Sequence, residues 1–204
     1  MGQEPSIEAH DVRVVRSRRR VIDAAVDLLV EGGLGAVTVD DVVARSGVAK
    51  TTVYRHWRSR DRLVADILTS ALPAPVVPDT GSLEGDLRTL ARGLAAGLSD
   101  PRSAALLAAI ALPTGDRNLD IVRHEATEVR HRALHEVVHR ARSRGEPVPP
   151  DGGAGIIRSI VGPLFYRRFV EGAAPTAAMA DLCVRRALAL VARSAHDDPP
   201  GANP

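Results

Sequence analysis

Residues 46–59, SGVAKTTVYRHWRS, hold the only lysine of the chain, Lys50, its only tryptophan, Trp57, and one of its two tyrosines, Tyr54. The chain has 2% aromatic residues, and all its other basic residues except histidine are arginines, so this concentration points to a task. Placed on a helix at about 100° per residue, Val53 and Trp57 point one way. Lys50, Thr51, Tyr54, Arg55 and Arg58 fall on the adjoining arc, about 20° to 160° past Trp57. That second face offers ammonium, guanidinium and hydroxyl donors around one amphipathic ring. It suits the acceptor edges of bases and the oxygens of phosphates. The competing reading is an ordinary amphipathic helix with a solvated basic face.

Net charge is only +2, but its distribution is uneven. Residues 1–12 carry three acids and no Lys or Arg, whereas residues 13–20 carry five arginines (Arg13, Arg16, Arg18, Arg19 and Arg20) and no acid. Residues 42–62 carry six basic groups against Asp61, and residues 63–204 balance at sixteen of each sign. Both positive patches lie in the first third of the chain, the footprint expected for a polyanion partner. Arg16 to Arg20 are expected in the first turns of the first helix, where backbone N–H groups also favour phosphate.

Other chemistries find less support. His131, His135 and His139 lie four apart, with His124 and Glu128 nearby in angle, and histidines at that spacing could hold a metal. They interleave with Arg132, Glu136 and Arg142 on the polar half of the wheel, as a solvated face would, so no metal is expected. Cys183, between Leu182 and Val184, reads as a small buried apolar residue rather than a redox sensor. Residues 152–155 are glycine-rich but follow a proline linker instead of a strand, and lack the Lys-Ser/Thr of a phosphate loop. No nucleophile elbow or paired carboxylates stand out, and neither enzymatic activity nor a cofactor is expected.

The elements that would position these groups are helices, since strand signals are nearly absent. Apolar residues Val14, Val21, Ala25, Leu28 and Leu29 share one face of a helix from Arg13 to Glu31, which Gly32 and Gly33 end. Thr38 with Asp41 three residues on opens a short helix to about Arg45. Ser46 and Gly47 turn the chain into a third helix from about Ala49 to Trp57, and Ser59 caps a fourth ending near Leu72. Residues 73–82, PAPVVPDTGS, cannot continue it and mark a domain boundary. Five helices should follow: from Leu83, from Pro101 to about Leu112, over 118–144, and, after a second linker at 146–151, over 152–171 and 176–194. The expected architecture is all-α, about nine helices: a disordered tail at 1–12, a helix-turn-helix domain with its connecting fourth helix at 13–72, a linker at 73–82, a helical domain at 83–194 and a disordered tail at 195–204. With 204 residues the chain is long enough for a sizeable core. It has one cysteine, no apolar run of membrane-spanning length and no signal-peptide h-region, so a soluble, cytoplasmic protein is expected.

Two short helices joined by a Ser-Gly turn, the second followed by basic residues, make a helix-turn-helix. Residues 38–64, TVDDVVARSGVAKTTVYRHWRSRDRLV, resemble the DNA-binding region of the tetracycline-repressor (TetR) family. Thr38, Val43 and Ala44, Ser46 to Val48, Thr52 to Tyr54, His56, Ser59 and Leu63 carry the likeness, with a basic first helix ending in Gly-Gly. Trp57 stands for the usual Phe, Arg60 for Lys and Ala49 for Ser, which removes a side-chain cap.

The resemblance implies a homodimeric, sequence-specific transcriptional regulator of double-stranded DNA reading a pseudo-palindromic operator, most simply a repressor released by a small, apolar effector. Thr38 would touch phosphate; Lys50, Thr51, Tyr54 and Arg55 would face bases or neighbouring phosphates; Thr52, His56 and Arg60 would sit on the backbone, with Arg18 in the second basic patch. Residues 83–194 would be the ligand-binding and dimerisation domain, its pocket lined by Leu94, Leu98, Leu107, Ile110 and Phe165. The segment 162–172, GPLFYRRFVEG, also looks like one branch of the family. It places Gly162, Tyr166 and Phe169, with Leu188 on the last helix, at the dimer interface. An effector-independent activator or architectural DNA-binding protein, or a metal-dependent sensor, is the alternative.

Overall fold

The computed structural model describes residues 7–113, 115–148, 151 and 153–197. Among them are nine helices and no strand: α1 Ile7–Ala36, α2 Val39–Ser46, α3 Lys50–His56, α4 Arg60–Ser70, α5 Leu83–Ser99, α6 Pro101–Ala111, α7 Arg117–Ser143, α8 Ala154–Phe169 and α9 Ala177–Asp197. None of the described helices is long and apolar enough to cross a membrane. The expected tails are shorter than the sequence suggests. α1 already begins at Ile7 and α9 runs to Asp197, because a change of charge pattern without glycine or proline does not stop a helix. Residues 1–6 and 198–204 of those tails lie outside the described residues, as do Thr114 of the α6–α7 break and residues 149, 150 and 152 of the second linker and glycine-rich start.

The expected stop at Gly32 and Gly33 is visible as a break inside α1, with Gly32 at φ −140° and Gly33 at φ 67°. Thr38 caps α2, its hydroxyl accepting from Asp41 N at 3.1 Å. Gly47 closes α2 in the left-handed conformation, φ 62°, its N–H donating to Val43 O. Ala49 gives α3 no side-chain cap, as its type requires. Ser59 caps α4 by accepting from Arg62 N at 3.3 Å.

The described residues form two compact units. The first comprises the chain up to Pro73 together with Ala105–Ala126. A cut at 73–82 therefore does not separate the helix-turn-helix unit from everything after it: the second half of α6 and the first of α7 belong to it. Leu106, Ala109, Ile110, Leu119 and Ala126 join Val21, Ala25, Leu29, Val42, Val53, Trp57, Leu63 and Leu68 in one apolar core. Four short helices cannot bury enough surface alone, and the added segment enlarges the core.

The second unit comprises Ala74–Ala104 and the chain from Thr127. Here α5, α8 and α9 pack together around Leu87, Leu98, Ile156, Ile160, Leu164, Ala180, Val184 and Ala187, all buried. Arg92 on α5 grips Asp181 on α9 with two bonds of 2.8 and 2.7 Å, which hold that carboxyl below its ordinary range. Cys183 is buried, and desolvation pushes its thiol up. Gly153 precedes α8 at φ 95°, where a Cβ would lie 2.7 Å from Val138 Cγ2, so both conformation and space require glycine.

The linker is anchored in this unit. Asp86, fully buried, accepts from Thr80 N at 2.6 Å and Thr80 Oγ1 at 2.8 Å, and meets Arg144 Nη2 at 3.4 Å. Glu146 accepts from Leu83 N at 2.8 Å and from Arg144 Nε at 2.7 Å. Leu63 is fully buried in the first unit. Leu63→Ala should destabilise that unit by about 2–5 kcal/mol, read as a lower denaturant midpoint without a change of slope.

Candidate nucleic-acid interface

The seven residues of α3 are too few for a helix that stands alone, so packing must hold it. Val53 is fully buried and Trp57 is 4% exposed, fixing one side of α3 in the core. Trp57 Nε1 donates to Asp66 Oδ2 on α4 at 2.9 Å. The same carboxylate is paired with Arg18 of α1, whose Nε lies 3.2 Å from Oδ2, and accepts from Ser70 Oγ at 3.0 Å. One carboxylate thus ties α1, the end of α3 and α4 together. The rings of Trp57 and His56 are tilted neighbours, 5.6 Å between centroids.

With that side fixed, the opposite one is solvent-facing. Lys50, Thr51, Tyr54, Arg55, His56 and Arg58 are exposed, and Thr52 is half-buried. Arg55 and Arg58 have no hydrogen-bond or ion-pair partner among the described residues, so their guanidinium donors are available to another molecule. Lys50 Nζ lies 2.7 Å from Asp40 Oδ1 and 5.6 Å from the centroid of the Tyr54 ring. The hydrogen bond to Asp40, and then its charge, raises the Lys50 pKa, so the ammonium is charged at neutral pH.

Several basic groups expected at an outside phosphate are used inside the unit. Arg60 is the plainest case: its Nε donates to Val37 O at 2.8 Å and its Nη2 to Leu34 O at 2.5 Å. It thereby supplies a donor to Val37 O and a second one to Leu34 O, which already accepts from Val37 N at 3.2 Å. Arg20 donates to Ser46 O at 2.6 Å, at the carboxyl end of α2. Arg45 is bidentate on Glu31, and that hydrogen bonding lowers the Glu31 pKa. Arg18 is held by Asp66 and by Ser70 Oγ at 3.1 Å. Arg16 to Arg20 also lie well inside α1, which begins at Ile7, rather than at its N-terminus. Thr38 is half-buried, with its hydroxyl engaged by Asp41. Asp40 and Asp66, which organise this surface, were not singled out from sequence; their roles depend on which cations the fold brings to them.

The remaining expected sites lie elsewhere. Ile110 belongs to the core of the first unit, where Leu107 is also buried, whereas Leu98 is buried and Leu94 and Phe165 half-buried in the second. On α8 and α9, Tyr166 (55% exposed), Phe169, Leu182 and Leu190 present apolar side chains to solvent. Gly162 is exposed with open space where a Cβ would stand, and Leu188 is half-buried. Phe165 and Phe169 lie 5.4 Å apart between centroids. His131 Nδ1 is 3.7 Å from Glu128 on the α7 surface. Among the described residues no group of three or more His, Cys, Asp or Glu could hold a metal ion.

Comparison with known proteins agrees with this arrangement. Residues 21–67 match the family described as "Bacterial regulatory proteins, tetR family", and residues 77–187 match "Tetracyclin repressor-like, C-terminal domain". The chain belongs to the TetR family. It is 33% identical over 144 residues to the HTH-type transcriptional regulator AqdR of Rhodococcus erythropolis, covering 70% of each chain. A TetR transcriptional regulator from Agrobacterium tumefaciens superposes with a TM-score of 0.67 at 25% identity, over 86% of this chain and 94% of that one. The SmeT–triclosan complex superposes with a TM-score of 0.70 at 19% identity, over 86% and 91% of the two chains, and shares the fold. As a TetR-family protein, the chain is a DNA-binding transcription regulator and not an enzyme.

Arg60→Ala should lower stability by about 1–3 kcal/mol, because Val37 O loses its donor and Leu34 O keeps only the Val37 N–H. It should leave the salt dependence of DNA binding unchanged, whereas loss of a phosphate contact would reduce the slope by about 0.9.

Proposed function

We propose that this TetR-family regulator is a cytoplasmic homodimeric repressor that reads a pseudo-palindromic operator and is released by a small apolar effector. The observation that carries the reading is the outward face of α3. Arg55 and Arg58 stand there with unclaimed guanidinium groups beside exposed Tyr54 and Thr51, on a helix whose other side is locked into the core. Lys50, Thr51, Tyr54 and Arg55 face bases or the phosphates next to them, while Thr52, His56 and the neighbourhood of Thr38 meet the backbone.

A two-fold dimer would give two such helices and hence a two-fold site. The exposed apolar side chains of α8 and α9 support pairing there, with Tyr166, Phe169 and the open backbone at Gly162 in the interface and Leu188 at its margin. Half-buried Leu94 and Phe165 offer apolar surface that suits an apolar effector, and SmeT, of the same fold, has been solved with triclosan. Release requires only that the effector bind more tightly to a form in which α4 holds the two α3 helices at another spacing.

Selection of random duplexes by the purified protein at fixed salt, followed by sequencing, tests the central reading. One pseudo-palindrome should be enriched, and Arg55→Ala should weaken binding to it; binding that fades with salt and enriches nothing would overturn the reading. Sedimentation tests the dimer: Tyr166→Asp combined with Phe169→Asp should shift the protein to monomer and abolish operator binding at nanomolar concentrations. An unchanged sedimentation coefficient would refute this interface.

A further inference from the structure

Lys50 and Asp40 form an ion pair with an unusual setting. Lys50 is the first residue of α3, the end at which the helix dipole disfavours a cation, and Ala49 gives that end no side-chain cap. Asp40 stands in the first turn of α2, and its carboxylate reaches across to Lys50 Nζ at 2.7 Å. The two side chains remain 59% and 71% exposed, so the bond adds little to stability. What it fixes is position: the ammonium is held near the Tyr54 ring, on the face assigned above to DNA. An ammonium has three donors and one is used by Asp40, leaving two; a carboxylate accepts at both oxygens, so Asp40 retains acceptor capacity.

The pair therefore presents to solvent a donor and an acceptor side by side. In the major groove, a G·C pair presents the complementary set, with acceptors at guanine O6 and N7 next to the cytosine N4–H donor. An A·T pair reverses the order, with a donor on the purine and an acceptor on thymine O4. We propose that Asp40 and Lys50 act as one reader of a G·C base pair in each operator half-site, Lys50 donating to guanine and Asp40 accepting from cytosine N4. Asp40 is thus a specificity-determining residue, although an acid beside a phosphate backbone costs affinity. At other sequences the pair meets a mismatched edge, and the carboxylate adds repulsion with nothing to offset it. The inference rests on the DNA-reading face of α3 proposed above.

The test compares duplex selections by the full-length wild type, Asp40→Ala and Lys50→Met at the same salt, with thermal unfolding to check that all three fold alike. The wild type should enrich a site with a G·C pair at symmetric positions. Asp40→Ala should lose discrimination at that pair by about tenfold or more, keep its preferences elsewhere, and bind random duplex more tightly. Lys50→Met should relax the same pair, and the double variant should add little to either single one. If Asp40→Ala retains the wild-type preference at every position, or changes affinity for all sequences alike, the inference fails while the operator reading stands. If the wild type enriches no sequence, the reading of α3 fails first and this inference falls with it.

Discussion

A helix of seven residues held against one carboxylate is the constraint on which this surface depends. Alone, α3 would fray, since its first turn lacks a cap and its length is below what isolated helices need. Val53 and Trp57 supply the apolar hold, and Asp66 fixes the direction by taking hydrogen bonds from the Trp57 indole, Arg18 and Ser70. An indole is well suited to this position, because it buries a large apolar body yet offers a single donor. Phenylalanine, the residue the family pattern favours there, could not reach Asp66 in this way.

The balance of charges is set by the same economy. Arginines dominate the first third of the chain, but the fold pairs several of them with groups of its own. Arg20 and Arg60 serve backbone carbonyls, Arg45 serves Glu31, and Arg18 serves Asp66. A basic patch in sequence is therefore a weaker guide to the electrostatic surface than its composition suggests. What faces outward unclaimed among the described residues is a smaller set: Arg55 and Arg58 at α3, Arg62 on α4, and Arg13 and Arg16 on α1.

Much of the architecture was legible because its punctuation is strong. The Thr38 and Ser59 caps, the left-handed Gly47 and the proline-rich 73–82 stretch fix helix limits by local chemistry, and the structure has helices where those signals put them. The start of α1 and the end of α9 were illegible for the opposite reason, because no residue there forbids a helix. The packing of Ala105–Ala126 with the first compact unit was illegible because it depends on long-range contacts. The exposure of Thr51, Arg55 and Arg58 could be read from helical angle alone, but not that of Lys50, about 20° from Trp57 on the wheel. The partners of Arg60 and Lys50 could not, since they come from segments 23 and 10 residues away, and only the fold brings them together.

The proline-rich segment before α5 has a practical bearing. Its composition suggests a loose tether, but Thr80 is bonded to buried Asp86, Pro78 O accepts from Arg140, and Asp79 lies within reach of Arg140 and Arg144. These residues belong with the second unit. A chimaeric regulator that joins this second unit to the DNA-binding head of a relative should therefore be spliced ahead of Pro78 and carry that head's own counterpart of Ala105–Ala126. A junction at Ser82 would remove both Thr80 donors of buried Asp86 and leave it only the longer contact to Arg144.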